Sequence, residues 1–216
     1  MSKATESYEK LGLYISNDGF TFDISKEPTI KDFEKVIGEK TTLVAKCVLN
    51  TEEYFPVKYK KNGKLAKNRE YFNPNDEDYD GKKVDYIEKN SLWKNGDYEW
   101  LYCKTYNGRI VKLGMTITSL KDRYGSYSCG TGRAMKKGSC STTNFIISEC
   151  NTFAVMNGMK VEIYGIAVPK KIEKETRFGV TKECIYSTVR DKETMIMESF
   201  KNTYGYKPVL CVQEGK

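Results

Sequence analysis

The stretch Trp100-Leu101-Tyr102-Cys103-Lys104-Thr105-Tyr106-Asn107-Gly108-Arg109-Ile110-Val111-Lys112-Leu113-Gly114 decides how this chain is read. Tyr98 to Thr105 and Arg109 to Met115 are short runs rich in aromatic and β-branched residues, as strands are. Asn107-Gly108 between them is the pair that a two-residue hairpin turn favours, because both turn positions need positive φ. Thr116 or Thr118 then offers a cap for a helix from about Ser119 to Tyr127, which ends before Gly130 and Gly132. A tyrosine, a lysine and an arginine (Tyr102, Lys112 and Arg123) therefore fall on a hairpin and on the helix that follows it.

Outward toward the C-terminus, Ser139 to Thr143 precedes an apolar segment from Asn144 to Met156. This reads as a helix capped by Ser141 or Thr142 and stopped near Gly158. Lys160 to Val168 reads as a strand, with Val161, Tyr164 and Ile166 set against Lys160, Glu162 and Gly165. A last helix runs from about Ser187 to Asn202. At about 100° per residue, Val189, Ile196, Met197 and Phe200 all lie within about 60° of Glu193. Glu193 thus occupies the middle of an apolar stripe, where a carboxylate is costly unless it is ion-paired or binds a cation.

Outward toward the N-terminus, a helix is expected from Thr29 to Ile37, with Pro28 before it and Gly38 closing it, followed by a strand from Thr41 to Val48. Tyr54 to Tyr59 leads into Lys60-Lys61-Asn62-Gly63-Lys64, a second Asn-Gly turn, and Asn73 to Lys83 reads as a solvated loop. Residues 1–28 are polar apart from a short alternating run, Phe20 to Ile24. From residue 98 onward the order is β-β-α-α-β-α. The expected class is α+β: a small antiparallel or mixed sheet flanked by helices over 98–216, with an α/β extension over 1–97.

Composition narrows the chemistry. The 216 residues include no histidine, which excludes Ser-His-Asp hydrolases, Cys-His proteases, histidine–metal nucleases and zinc deaminases. Hydrolysis here must run on tyrosine, lysine, arginine and carboxylates. The seven cysteines are odd in number and form no C-x-x-C pair, so free thiols in a reducing cytoplasm are expected rather than a zinc site or disulfides. No long uncharged apolar stretch predicts a membrane span, and the N-terminus carries no apolar signal region. Residues 1–97 carry 17 Lys+Arg against 18 Asp+Glu, whereas residues 98–216 carry 19 against 11. The net charge of +7 is thus concentrated in the second half, as suits a polyanionic partner; a merely lysine-rich soluble surface is the alternative.

On the hairpin, Tyr102 and Lys112 approach each other if the register permits, and a nearby ammonium favours phenolate. Arg123 offers a planar fork for a phosphate, and Glu193 offers a carboxylate for a divalent metal. An ordinary strand pair with a surface lysine and a helix arginine accounts for the same spacing. Lys58, Lys60, Lys61 and Lys64 surround the Asn62-Gly63 turn and could enter a DNA groove. Lys136, Lys137, Lys170 and Lys171 could line a DNA channel. Ser141, Thr142, Thr143 and Asn144, at a helix start, could grip a phosphate or simply cap the helix.

Taken in order, these residues resemble the GIY-YIG nucleases. Trp100-Leu101-Tyr102 stands where the first signature triplet belongs and Lys112-Leu113-Gly114 where the second does. Arg123 and Tyr127 stand at the helix positions, and Glu193-Thr194-Met195-Ile196-Met197 looks like the late helix that carries the metal ligand. The runs Tyr124 to Gly130 and Gly138 to Asn144 look like the extended form of restriction-type and phage-borne members. Lys112 replaces the second signature tyrosine, Met115 stands where several relatives are basic, and the asparagine after the metal helix has no counterpart near Pro208 to Cys211.

The resemblance implies a type II restriction-like endonuclease acting on double-stranded DNA with one Mg²⁺, for which Mn²⁺ substitutes, held by Glu193. Tyr102, assisted by Lys112, or Lys112 itself would be the base; Arg123 would stabilise the phosphate and Tyr127 would position it. A homodimer follows from the need to cut both strands, and a cognate DNA methyltransferase would be a partner acting on the same site. The compact chain has no long linker to a second DNA-binding module, which favours this over a homing or repair nuclease. A phage or mobile-element nuclease of relaxed specificity and a DNA-binding module without catalysis are the alternatives.

Overall fold

The computed structural model describes residues 2–66 and 69–211. Along the chain run α1 (Lys3–Leu11), β1 (Ile15–Ser16), β2 (Gly19–Phe20), α2 (Ile30–Ile37), β3 (Thr42–Leu49), β4 (Val84–Glu88), β5 (Tyr98–Tyr106) and β6 (Arg109–Thr116). They continue with α3 (Leu120–Ser128), α4 (Gly132–Lys136), α5 (Thr142–Met156), β7 (Val161–Pro169), β8 (Lys171–Arg177), β9 (Val180–Tyr186) and α6 (Val189–Tyr204). The fold is α+β, with a five-stranded sheet in the order β4-β3-β7-β5-β6 and two separate ribbons, β1-β2 and β8-β9. Two compact units form, neither a single run of sequence. The first is Met1–Asp23, Lys46–Ile87 and Tyr124–Val161; the second is Ile24–Ala45, Glu88–Arg123 and Glu162–Lys216.

In the second unit the β5–β6 hairpin turns through Asn107 and Gly108, at φ 49° and 77°, as the sequence requires. Leu101, Cys103 and Leu113 pack toward α6, which buries Val189 and Phe200 and partly buries Ile196 and Met197. The apolar stripe of that helix is therefore the expected one, two residues displaced in its bounds. Helix α2 starts at a capping box, in which Thr29 accepts from the Asp32 N–H at 3.2 Å and Asp32 accepts from the Thr29 N–H at 3.3 Å. Gly38, at φ 70°, closes it. Phe33 of α2 then meets Phe200 of α6, ring centroids 6.3 Å apart.

Three local readings are corrected. Ser119, rather than Thr116 or Thr118, caps α3: its hydroxyl accepts from the Asp122 N–H at 3.1 Å. In β7 the residues buried together are Val161, Ile163 and Gly165, while Tyr164 and Ile166 face the clusters under α6. A strand has period two, so Val161 and Tyr164 cannot share a face. Finally, α4 and the β8–β9 ribbon interrupt the order expected from residue 98 onward, and α1 and β4 add to the elements expected before it, because each is short or too polar to give a periodic signal.

In the first unit, α1 packs on α5 through Tyr8 and Phe145, edge to face at 4.8 Å, and through Ser7 Oγ and Thr142 Oγ1 at 2.8 Å. Gly130 passes so close to α5 that a Cβ there would lie 2.2 Å from the Asn144 carbonyl oxygen. All seven cysteines are free thiols, as expected. No described helix is long and apolar enough to cross a membrane.

Glu27, in the second unit, is buried, and its Oε2 finds no hydrogen-bond partner among the described residues. Burial pushes its carboxyl up to about 7, with the Tyr206 hydroxyl opposing the shift. Between the ordinary carboxylate value of 4.5 and about 7 the folded state therefore holds a proton that the unfolded state has lost. The stability this group contributes is full below pH 4.5 and is lost as pH rises through 7. Glu27→Gln is expected to be more stable than the wild type at pH 8, by on the order of 2 kcal/mol, and equal to it near pH 4.5. Urea titrations at the two pH values check this; an equal difference at both would exclude Glu27 as the source.

Candidate active site

One register irregularity sets the geometry of the hairpin. Near the turn Thr105 pairs with Ile110, but a bulge between Lys104 and Thr105 shifts the pairing, so that Lys104 faces Lys112 and Tyr102 faces Gly114. Without the extra residue Tyr102 would oppose Leu113, and Lys112 would project from the other face. With it, Tyr102, Lys104, Lys112 and Gly114 share one face, and Tyr102 and Lys112 are diagonal neighbours. The sequence pattern makes them candidates for proximity; the bulge puts them on the same side.

Gly114 makes room for the phenol. A Cβ at position 114 would lie 2.5 Å from the Tyr102 hydroxyl oxygen and 2.6 Å from Cζ, so the ring lies across a position where only glycine fits. Arg123, in the first turn of α3, donates from Nε to the Tyr102 hydroxyl oxygen at 3.2 Å. The ring is buried, while Arg123 is half-buried and keeps solvent access.

Glu193 reaches the same place from α6. Burial raises its carboxyl above the ordinary value, and Lys112, Arg123, the Met115 N–H and Arg190 pull it back down. The Met115 bond completes a covering of the outer edge of β6. Leu210 N–H donates to the Val111 carbonyl at 2.8 Å, Leu113 N–H donates to Cys211 Sγ at 3.4 Å, and Lys112 Nζ donates to the Leu210 carbonyl at 3.3 Å. The strand edge that would otherwise invite pairing is thus closed by the segment after α6 and by the Glu193 carboxylate. Tyr102, Gly114 and Glu193 line one cleft with Phe33, Thr41 and Ile196.

The start of α6 is fixed by a residue that the sequence reading passed over. Thr188 makes no side-chain cap; instead the Glu99 carboxylate of β5, buried, accepts from the N–H groups of Thr188 and Val189, each at 3.3 Å. A negative group at a helix N-terminus satisfies orphan donors and complements the dipole. The available signal is a carboxylate directly before the apolar run Trp100-Leu101-Tyr102-Cys103. Glu99→Ala is expected to cost about 2 kcal/mol, because it deletes the acceptor for two buried N–H groups. Chemical denaturation checks it, and an unchanged midpoint would rule out the cap.

Of the residues singled out in sequence, Tyr102, Lys112, Arg123 and Glu193 come together within the second unit. Tyr127 is in the first, fully buried, its ring edge-on to Tyr124 at 5.4 Å, with Tyr86 beyond at 5.0 Å. Lys58, Lys60, Lys61 and Lys64 are exposed around a small hairpin in which Tyr59 bridges Leu65 and Gly63 adopts φ 76°. Lys136 pairs with Asp80 at 3.3 Å, while Lys137 is an exposed helix cap. Ser141 caps α5, accepting from the Asn144 N–H at 3.1 Å, and Thr142 is bonded to Ser7; Thr143 and Asn144 are half-buried in the first turn. Lys170 donates to the Gly96 carbonyl at 2.7 Å, and Lys171 pairs with Glu173.

No cluster of three or more carboxylate or thiol side chains suited to a metal forms among the described residues. Glu193 stands alone, which fits a hard cation that keeps most of its waters and takes one carboxylate plus substrate phosphate oxygens. The neighbouring Lys112 and Arg123 charges match a phosphate arriving with such a cation.

No family description and no curated protein sequence matches the chain. Among solved structures it is similar to the restriction endonuclease HPY188I in complex with product DNA, at 26% identity over 93% of this chain and 92% of that one, with a TM-score of 0.46. It is also similar to bacteriophage T4 EndoII, at 15% identity over 81% of this chain and 95% of that one, with a TM-score of 0.40.

Proposed function

We propose that this chain is a DNA endonuclease of the GIY-YIG type, hydrolysing phosphodiesters with one divalent metal, Mg²⁺, at a specific double-stranded site, as type II restriction enzymes do. The observation that carries the reading is the Arg123–Tyr102 hydrogen bond beside the Glu193 carboxylate, in a chain with no histidine. Few reactions use a phenol, a guanidinium and a lone carboxylate without imidazole, and phosphodiester hydrolysis is one of them.

Tyr102 is assigned as the general base. Held by the Arg123 bond, the Tyr102 oxygen, as phenolate, would take a proton from the attacking water as the water's oxygen bonds to phosphorus and the bond from phosphorus to the 3′-oxygen breaks. The Arg123 guanidinium would stabilise the charge that builds on the non-bridging phosphate oxygens. Lys112, whose amine is held by the Leu210 carbonyl, supplies positive charge beside Glu193 and is assigned no proton transfer. A divalent cation held at Glu193 would stabilise charge on the leaving 3′-oxygen as a Lewis acid. Tyr127, packed against Tyr124, takes no step in this scheme. A symmetric target calls for two such sites, hence a homodimer, with a cognate DNA methyltransferase protecting the host site.

The test is incubation of the protein with a long sequenced duplex in Mg²⁺ or in EDTA. Discrete fragments in Mg²⁺ alone are the expected result, and their ends give the target. A smear would replace the site-specific enzyme with a nuclease of relaxed specificity. DNA binding without cutting under any metal would reduce the chain to a binding module.

A further inference from the structure

The hairpin around Asn62-Gly63, within the first unit, takes no part in the scheme above. Its register is fixed by the Tyr59–Leu65 bridge and by the backbone bonds on either side of it. Lys60 N–H donates to the Lys64 carbonyl and Ala66 N–H to the Lys58 carbonyl, each at 2.7 Å. Lys60 therefore stands opposite Lys64, and Lys58 opposite Ala66. Side chains alternate along a strand, so Tyr59 and Leu65 share one face and Lys58, Lys60 and Lys64 share the other. Lys61 follows at the turn, where Gly63 adopts φ 76°. All four lysines are exposed.

This cationic face is uncompensated. No residue from Tyr54 to Ala66 is acidic, and the four lysines form no ion pair among the described residues. At the base of the hairpin Lys58, Leu65 and Ala66 line a cleft of about 790 Å³ together with Phe55, Arg69 and Asp85. The carboxylates of that cleft are already matched by other cations. Asp85 pairs with Arg69 at 2.7 Å and Lys82 at 2.9 Å, and Glu70 accepts two bonds from Arg133 at 3.0 Å. Like charges directly opposite each other, as Lys60 and Lys64 are, destabilise a strand pair, and a two-stranded hairpin has little stability to lose. A bound polyanion relieves that repulsion.

We infer that the Lys58, Lys60 and Lys64 face is a phosphate-contacting surface that holds duplex DNA by its backbone. Lys58 and Lys60 lie two residues apart, about 7 Å along an extended strand, which matches neighbouring phosphates on one nucleic-acid strand. Cations spread along a strand suit a polyanion; a single small anion calls for donors that converge on one point. Such contacts position the duplex and carry no sequence information, so the face strengthens binding to every sequence alike. The inference rests on the reading of the chain as a DNA endonuclease, but its test needs neither metal nor cleavage.

The test is fluorescence anisotropy of a labelled duplex of about 30 base pairs, in EDTA, titrated with the full chain between about 50 and 200 mM salt. The wild type is compared with a variant carrying Lys58→Gln, Lys60→Gln and Lys64→Gln, and with the corresponding triple Lys→Arg variant. The glutamine variant is expected to bind about tenfold or more weakly and to lower the slope of log affinity against log salt by about 3, one per lost phosphate contact. Its thermal melt should be no lower than the wild type's, since the Lys60–Lys64 repulsion is gone. The arginine variant keeps the charge and is expected to keep the slope. A glutamine variant with wild-type affinity and slope overturns the inference and leaves the nuclease reading standing. A wild type that binds no duplex overturns both. An arginine variant that loses as much slope as the glutamine one overturns the inference too, because the lysines would then act through the fold of the hairpin and not through charge.

Discussion

Glu193→Gln is expected to lower Mg²⁺-dependent cleavage by about 10³-fold while leaving the protein at least as stable as the wild type. The two halves of that expectation come from the same surroundings. Glutamine keeps the shape of the side chain and an oxygen to accept from the Met115 N–H, but it cannot present the negative charge that a hard cation requires. Burial already holds the Glu193 carboxyl above its ordinary value, so the fold disfavours the charged form and a neutral isostere relieves that penalty. Lys112 and Arg123 lose an anionic neighbour, yet both retain donors aimed elsewhere, Lys112 to the Leu210 carbonyl and Arg123 to Tyr102. Single-turnover cleavage and a thermal melt on one preparation give both readings. Undiminished cutting would remove Glu193 from the chemistry. A large drop in melting temperature would show instead that the carboxylate serves the fold through its cationic neighbours.

What the sequence discloses and what it withholds divide along physical lines. Asn107-Gly108, the closing Gly38, the capping residue Ser141, and the spacing of Val189, Ile196, Met197 and Phe200 are local signals, and each meets the element it predicts. The register of the hairpin is not local. Whether Lys112 shares a face with Tyr102 depends on one bulge, and nothing in Lys104-Thr105 or Ile110-Val111 announces it. Partners distant in sequence are equally silent: Glu99 reaches the start of α6 some 90 positions on, and Leu210 reaches Lys112 across 98. Tyr127 shows the opposite case, a residue singled out by the resemblance whose surroundings are an aromatic core. The β8–β9 ribbon gives no periodic signal because its few apolar residues are scattered among charges on strands that bury almost nothing.

Gly114→Ala is the second large effect, and it separates a packing role from a chemical one. The added methyl carbon would fall 2.5 Å from the Tyr102 hydroxyl oxygen, well inside contact distance. An exposed tyrosine would swing aside, but Tyr102 is buried and its oxygen is bonded to Arg123 at 3.2 Å, so ring and guanidinium must move together. Displacing a reacting group by about 1 Å costs about 10²-fold in rate even when no catalytic atom is lost. Cleavage by Gly114→Ala is accordingly expected to fall by about 10²-fold, and stability to fall by about 1–3 kcal/mol from overpacking. Because the clash is with one side chain, it should vanish when that side chain is shortened. In a Tyr102→Leu background, which has no hydroxyl and no Cζ, Gly114→Ala is expected to cost much less, leaving a coupling energy of at least about 1 kcal/mol in a double-mutant cycle. Additive losses in that cycle would mean that the glycine answers to the backbone of β6 rather than to the phenol, and the hairpin would then lose the steric reason for pairing a tyrosine with a glycine across its strands.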